Sequence, residues 1–418
     1  MWQRLSQNAF LLLLNNFSTA GLAFALSVLI GRGLGPAALG HYAAVMAWVF
    51  PLTVAAEAGL NTYLNRHLAQ NRAASPATIA LAWRARLLIG GGMVLGVWLL
   101  APALSPDPTI QAGLRWAAPM IWIDTSFGIY TAAWRAWERV GPILALNLAW
   151  LSSQVLGGLV IIGGGGDIVK LLAWIMLTDL AQLALAALWW HGWDWPRLAS
   201  TLPPGPFIPP PDKMGALLRQ TWPLAAGVVL LALQSRLAWL ILQTWGPAEA
   251  LAILAVAARF IEAAKMPSFA LFGASFTQLA KLKEDGAAFA RLESRLGALL
   301  TAYALLVFGA IILLGEGVIL WSFGPAFAEA YPPLLILGLG LWPTLWRQNW
   351  LHARYAAGEE GRANQVLVLS LGLYLALGLL LIPPQPTATR AAIALLLAEG
   401  LSWGLGYVKI IPPLSSGH

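Results

Sequence analysis

The chain has 418 residues, of which 59% are hydrophobic and only 10% charged; its mean hydropathy is +0.71 and its formal charge +7. A soluble globular chain carries about 25% charged residues, so this composition excludes a protein whose whole surface meets water, and the positive excess reads as membrane topology rather than as affinity for nucleic acid. The absence of cysteine excludes disulfides, thiolate metal sites and cysteine nucleophiles, and the dispersed histidines (His41, His67, His191, His352 and His418) show no ligand spacing, so no metal and no other cofactor is expected.

Apolar stretches recur near the length of about 20 residues that a helix needs to cross hydrocarbon. The first, 9–30, is too long for the apolar core of a cleavable signal, and Asn15 and Asn16 interrupt it, so it is the first span. Further spans are predicted at 40–60, 87–103, 112–132, 143–162 and 169–190, and then at 219–242, 249–270, 296–315, 332–351, 364–382 and 390–408. Pro119 and Pro343 interrupt the fourth and tenth, which a membrane helix tolerates where neighbours satisfy the freed carbonyl. The predicted fold class is an all-α polytopic membrane protein of about 12 transmembrane helices.

Charge orients this layout. With a cytoplasmic N-terminus, cytoplasmic segments hold 18 of the 25 lysines and arginines, among them Arg84, Arg86 and Arg347, and outer segments hold 4. Arg236, Arg259 and Lys265 fall inside spans. The bias places both termini in the cytoplasm and the protein in the cell (inner) membrane.

The longest predicted cytoplasmic connection is 191–218. Its stretch TLPPGPFIPPPD favours extended polyproline structure, and the tryptophans of WHGWDWPR before it suit the headgroup region. Residues 1–190 and 219–418 are thus expected to form two six-helix lobes joined by a semi-rigid linker. GPAALGHYAAV (35–45) and GPAEALAILAV (246–256), each after the first span of its half, share five of eleven residues. Both halves start inside, so the repeat would be parallel.

A charge at mid-bilayer costs about 2.5–3.5 kcal/mol, so it faces a cavity or a partner. Arg259 lies thirteen residues past Gly246, too deep to reach the outer interface easily, and Arg259, Glu262 and Lys265 share one helix face. Two readings stand: a cationic wall for a substrate anion, or a local pair in which Glu262 neutralises Arg259 or Lys265. Arg236 either lines a cavity near the outer mouth or is paired or drawn outward; Arg32 lies at an outer turn, where an interface anchor competes with substrate contact; Lys265 either joins the wall or reaches the cytoplasmic headgroups. Asp124, Asp179 and Glu399 either balance arginines across the bundle or hold a coupling proton or sodium ion, and Glu57 either shares that role or pairs with Arg66 at a helix end. Asn15, Asn16, Asn147 and Gln154 suit either sugar hydroxyls or interhelical hydrogen bonds. The run at 163–166 lacks the Lys-Ser/Thr of a phosphate loop and reads as a turn, while KLKEDGAAFARLESR (281–295) is a solvated face able to meet anionic membrane lipids.

Four segments carry a family resemblance. IGRGLGPAALGHYA (30–43), AEAGLNTYLNRHLA (56–69), FGPAFAEAYPPLLILGLG (323–340) and RYAAGEEGRANQV (354–366) occur in an order and spacing that covers nearly the whole chain. At these residues the sequence resembles the Wzx-type oligosaccharide flippases of the multidrug/oligosaccharidyl-lipid/polysaccharide exporter superfamily. It departs from them in SRLAWLILQTWGP (235–247), where many members carry an acidic residue. Related peptidoglycan-precursor flippases are expected to have two further C-terminal spans, which makes lipid II the less expected substrate.

The resemblance implies a MATE- or flippase-like fold with two lobes around a partly cationic V-shaped cavity, and a function other than an enzyme's. The implied substrate is a polyprenyl-diphosphate-linked oligosaccharide, moved to the outer leaflet for cell-surface polysaccharide biosynthesis. Implied partners are a polysaccharide polymerase and glycosyltransferases. The rivals are an ion-coupled drug/cation antiporter of the same superfamily, which would want an acidic or aromatic cavity, and a membrane-embedded glycosyltransferase or polymerase, which would want acids in a sizeable outer loop.

Overall fold

A computed structural model describes residues 2–72, 75–200 and 214–407, and its regular structure is entirely helical. In chain order the helices are α1 (Trp2–Glu57), α2 (Leu60–Gln70), α3 (Ser75–Leu104), α4 (Pro108–Ala136), α5 (Gly141–Gly163), α6 (Ile168–Trp189), α7 (Trp195–Ala199), α8 (Met214–Trp245), α9 (Ala248–Lys281), α10 (Gly286–Ser322), α11 (Tyr331–Ala357), α12 (Glu360–Leu381) and α13 (Ala388–Tyr407). Every predicted span falls on one of them. The first two share α1, which breaks at Gly35 (φ 86°, ψ 177°), a conformation that a side chain would strain. Pro36 then starts the second span with its φ already set for a helix.

Several charges of the connecting turns serve as caps. Asp107 accepts from the Thr109 amide at 2.7 Å, Asp167 from Lys170 at 2.9 Å and Asp285 from Ala288 at 3.0 Å, starting α4, α6 and α10. Each satisfies an orphan donor and places negative charge at the positive end of a helix dipole. Pro119 and Pro343 leave α4 and α11 continuous.

Among the described residues, seven helical stretches are long and apolar enough to cross a membrane by length and composition, the first, Phe10–Gln70, containing the break at Gly35. Helices α4, α9, α11 and α13 fall outside that set and carry Asp124, Arg259 with Lys265, Arg347 and Glu399 respectively. Large apolar side chains such as Leu88, Leu99, Leu313 and Trp321 lie exposed on α3 and α10, as hydrocarbon in place of water allows.

The chain forms two compact units. One comprises residues 1–34 and 45–229, the other 35–44 and 230–418. In the first, α3, α4 and α6 pack around a cluster rich in aromatic residues that includes Tyr130, Trp134 and Trp190. The expected linker begins differently from its sequence reading. Residues Trp190–Asp194 continue α6 as a π-turn into α7, and Trp190 is buried rather than at the headgroups. The cause is Asp194, fully buried, which accepts from Trp134 Nε1 at 2.7 Å and pairs with Arg139. The stretch 201–212, with its prolines, lies outside the described residues.

In the second unit α11 packs on α9, α10 and α13. The segment 35–44 belongs here because Gly40 presses on the start of α9: a Cβ at Gly40 would lie 1.8 Å from the Ala248 carbonyl oxygen. Pro267 interrupts α9 and deprives a carbonyl in the preceding turn of its donor. The neighbouring carbonyls find side-chain donors instead, Ala264 from the Tyr303 hydroxyl and Lys265 from Ser268, both at 2.6 Å.

Candidate cationic site in the second unit

Three turns of α9 carry Arg259, Glu262 and Lys265 along one face. Arg236 on α8 reaches the same face. Glu262 gives one oxygen to each arginine, Oε1 to Arg236 Nη2 and Oε2 to Arg259 Nη1, both at 3.4 Å. The Arg236 guanidinium also lies over the Trp239 ring at 5.5 Å and within electrostatic reach of Tyr42, a residue of the 30–43 segment. Lys265 continues the row, with Glu399 its strongest charged neighbour and Glu262 next.

A second pair closes the row. Arg347 on α11 forms a fork with Glu399 on α13, Nε to Oε2 at 2.8 Å and Nη2 to Oε1 at 3.0 Å. Gln234 on α8 accepts from Arg347 Nη1 at 3.3 Å and donates to the Leu367 carbonyl on α12 at 2.7 Å; the Tyr374 hydroxyl hydrogen-bonds to the same pair. Four cations, Arg236, Arg259, Lys265 and Arg347, thus meet two carboxylates, Glu262 and Glu399. Among the described residues this leaves two positive charges in excess, and in hydrocarbon each would cost about 2.5–3.5 kcal/mol without water or an anion.

Sequence reasoning brought Arg236, Arg259, Lys265 and Glu262 to this site but counted Arg347 among the cytoplasmic charges. Arg347 is buried inside α11. The available signal was Glu399: a carboxylate in the last span needs a cation, and Arg347 lies within the tenth predicted span. Arg86, also counted as cytoplasmic, is fully buried in the first unit, donating to the Ala56 carbonyl at 2.8 Å and to Asn61 Oδ1 at 2.9 Å. Removing both from the cytoplasmic total leaves the charge bias intact.

The remaining candidates lie in the first unit. Arg32 is exposed on α1 just before the Gly35 break. Glu57 has Arg86 and Arg135 as its charged neighbours, rather than the Arg66 that its position at a helix end suggested. Asp179 is buried and accepts from Trp150 Nε1 at 2.5 Å and Gln154 Nε2 at 3.0 Å, with Asp124 as its charged neighbour. Among the described residues neither aspartate forms an ion pair with a basic side chain, so their expected balancing arginines are not found there, whereas Glu399 has one. Asn147 joins α1 to α6, donating to Asn15 at 2.9 Å and accepting from Gln182 at 2.8 Å, which is interhelical bonding of the expected kind.

Comparison with known proteins decides the family. The family described as polysaccharide biosynthesis protein matches residues 5–282, more than half of the chain. The chain belongs to the polysaccharide biosynthesis protein family. No curated protein matches it. Among solved structures this family member is similar to an inward-facing multidrug resistance MATE transporter of the MOP superfamily, at TM-score 0.73 and 14% identity over 93% of this chain and 92% of that one. It is equally similar to the lipid II flippase MurJ in an inward closed conformation, at TM-score 0.73 and 13% identity over 94% and 86%. A third is a MOP superfamily transporter from Pyrococcus furiosus, described by a binding pocket of reverse polarity, at TM-score 0.64 and 13% identity over 97% and 93%. The fold is that of the MOP superfamily, like MATE and MurJ. This family member is a multi-pass membrane protein linked by its family to polysaccharide biosynthesis.

Proposed function

We propose that this protein is a transporter that flips a polyprenyl-diphosphate-linked oligosaccharide from the cytoplasmic to the outer leaflet by alternating access, with both termini in the cytoplasm. The observation that carries the reading is the excess, among the described residues, of two cations in the row formed by Arg236, Arg259, Lys265 and Arg347. A diphosphate diester bears a negative charge on each phosphate, so it would balance that excess, and neither partner is tolerable alone in hydrocarbon. An inside-negative potential drives such an anion outward by about 2.3 kcal/mol per charge per 100 mV, which removes the need for an ion gradient.

A second reading draws on a different observation. Asp124 and Asp179 are neighbouring acids in the first unit without a basic partner among the described residues, which suits an ion-coupled drug/cation antiporter. One experiment separates the two: a fluorescent polyprenyl-diphosphate oligosaccharide and a cationic dye are offered to proteoliposomes carrying wild type or Arg259→Ala. Flipping of the lipid by wild type and its collapse in the variant are expected. Dye export without lipid flipping would overturn the flippase reading and support the antiporter.

A further inference from the structure

The second unit holds two arginine–glutamate systems that differ in kind. Arg347 and Glu399 close at 2.8 and 3.0 Å with 5% and 14% of their side chains exposed, and Gln234 and Tyr374 complete the shell. Glu262 instead bridges Arg236 and Arg259 at 3.4 Å on each side, with 22%, 31% and 41% of the Arg236, Arg259 and Glu262 side chains exposed. The first system is a closed fork with both carboxylate oxygens engaged by one guanidinium. The second is a single carboxylate shared between two guanidiniums at 3.4 Å each.

We propose that Glu262 is a built-in substitute for the substrate's diphosphate: it holds Arg236 and Arg259 together while the site is empty, and a diphosphate displaces it by offering one phosphate to each arginine. This rests on the flippase reading above. Glu262 lies 3.4 Å from each arginine, near the limit of a hydrogen bond, whereas a diphosphate presents oxygens on two phosphorus atoms set further apart and reaches both at shorter range. A monophosphate gathers its three oxygens on a single phosphorus atom and so reaches over a shorter span than a diphosphate does. Glu262 would thereby set both the preference for a diphosphate and the ease of its release, because the retained negative charge repels the bound anion and recaptures the arginines as it leaves. The neighbouring Glu399 cannot exchange in this way, since its fork is shielded and its loss would strand Arg347.

The test compares wild type with Glu262→Gln, as full chains in lipid nanodiscs, for binding of a polyprenyl diphosphate against a polyprenyl monophosphate of the same tail. The same variants are then assayed for flipping in proteoliposomes. Removing a partly exposed counter-charge is worth at most about fivefold. The diphosphate is expected to bind Glu262→Gln about that much more tightly, the monophosphate to change less, and turnover at saturating lipid to fall. Glu262→Asp, which keeps the charge but shortens its reach, covers a glutamine variant that fails to insert and is expected to lie between the two. Wild-type binding of the diphosphate with equal or weaker affinity in the variants would overturn the role of Glu262 and leave the flippase reading standing. No preference for diphosphate over monophosphate in any of these proteins would overturn both.

Discussion

Arg347 and Glu399, fifty-two residues apart in the chain, meet as a two-bond fork between α11 and α13, at 2.8 and 3.0 Å. Lys265 is the next cation to reach Glu399. That geometry makes the two ends of the fork unequal. Glu399→Gln leaves Arg347 buried without a carboxylate, a loss of about 3–5 kcal/mol. Arg347→Gln leaves Glu399 with Lys265 still nearby, so it is expected to cost less. Thermal unfolding in detergent should rank Tm as wild type, then Arg347→Gln, then Glu399→Gln; the reverse order would show that Lys265 does not compensate.

Arg86 spans a break in the chain. The second span ends at Glu57, Ala58 takes a positive φ of 49°, and α2 begins at Leu60. Arg86 holds the Ala56 carbonyl before the break and Asn61 after it. Arg86→Met keeps the packing and loses both bonds, at a cost of about 1–3 kcal/mol for the Ala56 carbonyl left buried and less for the half-buried Asn61. Amide hydrogen exchange over residues 56–62 is expected to accelerate in this variant while exchange in the second unit stays unchanged.

Asp194 ties the π-turn to the first unit through Trp134 and Arg139. Asp194→Asn removes the charge but keeps an acceptor for the indole, so the loss falls mainly on the Arg139 bond, about 1.5–3 kcal/mol for a charge-assisted contact. Asp194→Leu strands both partners and is expected to lower Tm further. A red shift of tryptophan emission, as Trp134 and Trp190 meet water, would report the detachment directly.

Gly40 leaves no room for a side chain. A Cβ there would sit 1.8 Å from the Ala248 carbonyl oxygen, a backbone atom that cannot turn aside. Gly40→Ala therefore has to separate 35–44 from α9, with a cost at or above the 1–3 kcal/mol typical of overpacking, roughly. Gly21→Ala meets nothing within 4 Å and serves as the control, expected to express and melt like wild type. Equal behaviour of the two variants would contradict the close packing at Gly40.

The α-helical membrane class and the placement of the spans were legible from residue order alone. Hydropathy at the length of a bilayer is a local property, and so is the i, i+3 spacing that put Arg259, Glu262 and Lys265 on one face. The turns were legible for a similar reason: Gly35 and Pro36 state their backbone preferences without help from distant residues. Partnership was not legible. Arg86 and Arg347 looked like cytoplasmic charges because each lies near the end of an apolar run, and composition cannot tell an end that meets water from one packed against Asn61 or Glu399. Glu57 looked ready for Arg66 in its own chain segment, yet Arg86 from α3 and Arg135 from α4 stand beside it. The sequence by itself determined which segments form long apolar helices and which of these carry charge; only the tertiary structure decided which charges neutralise one another, because a salt bridge depends on distances of a few ångströms between helices whose order in the chain does not specify their neighbours.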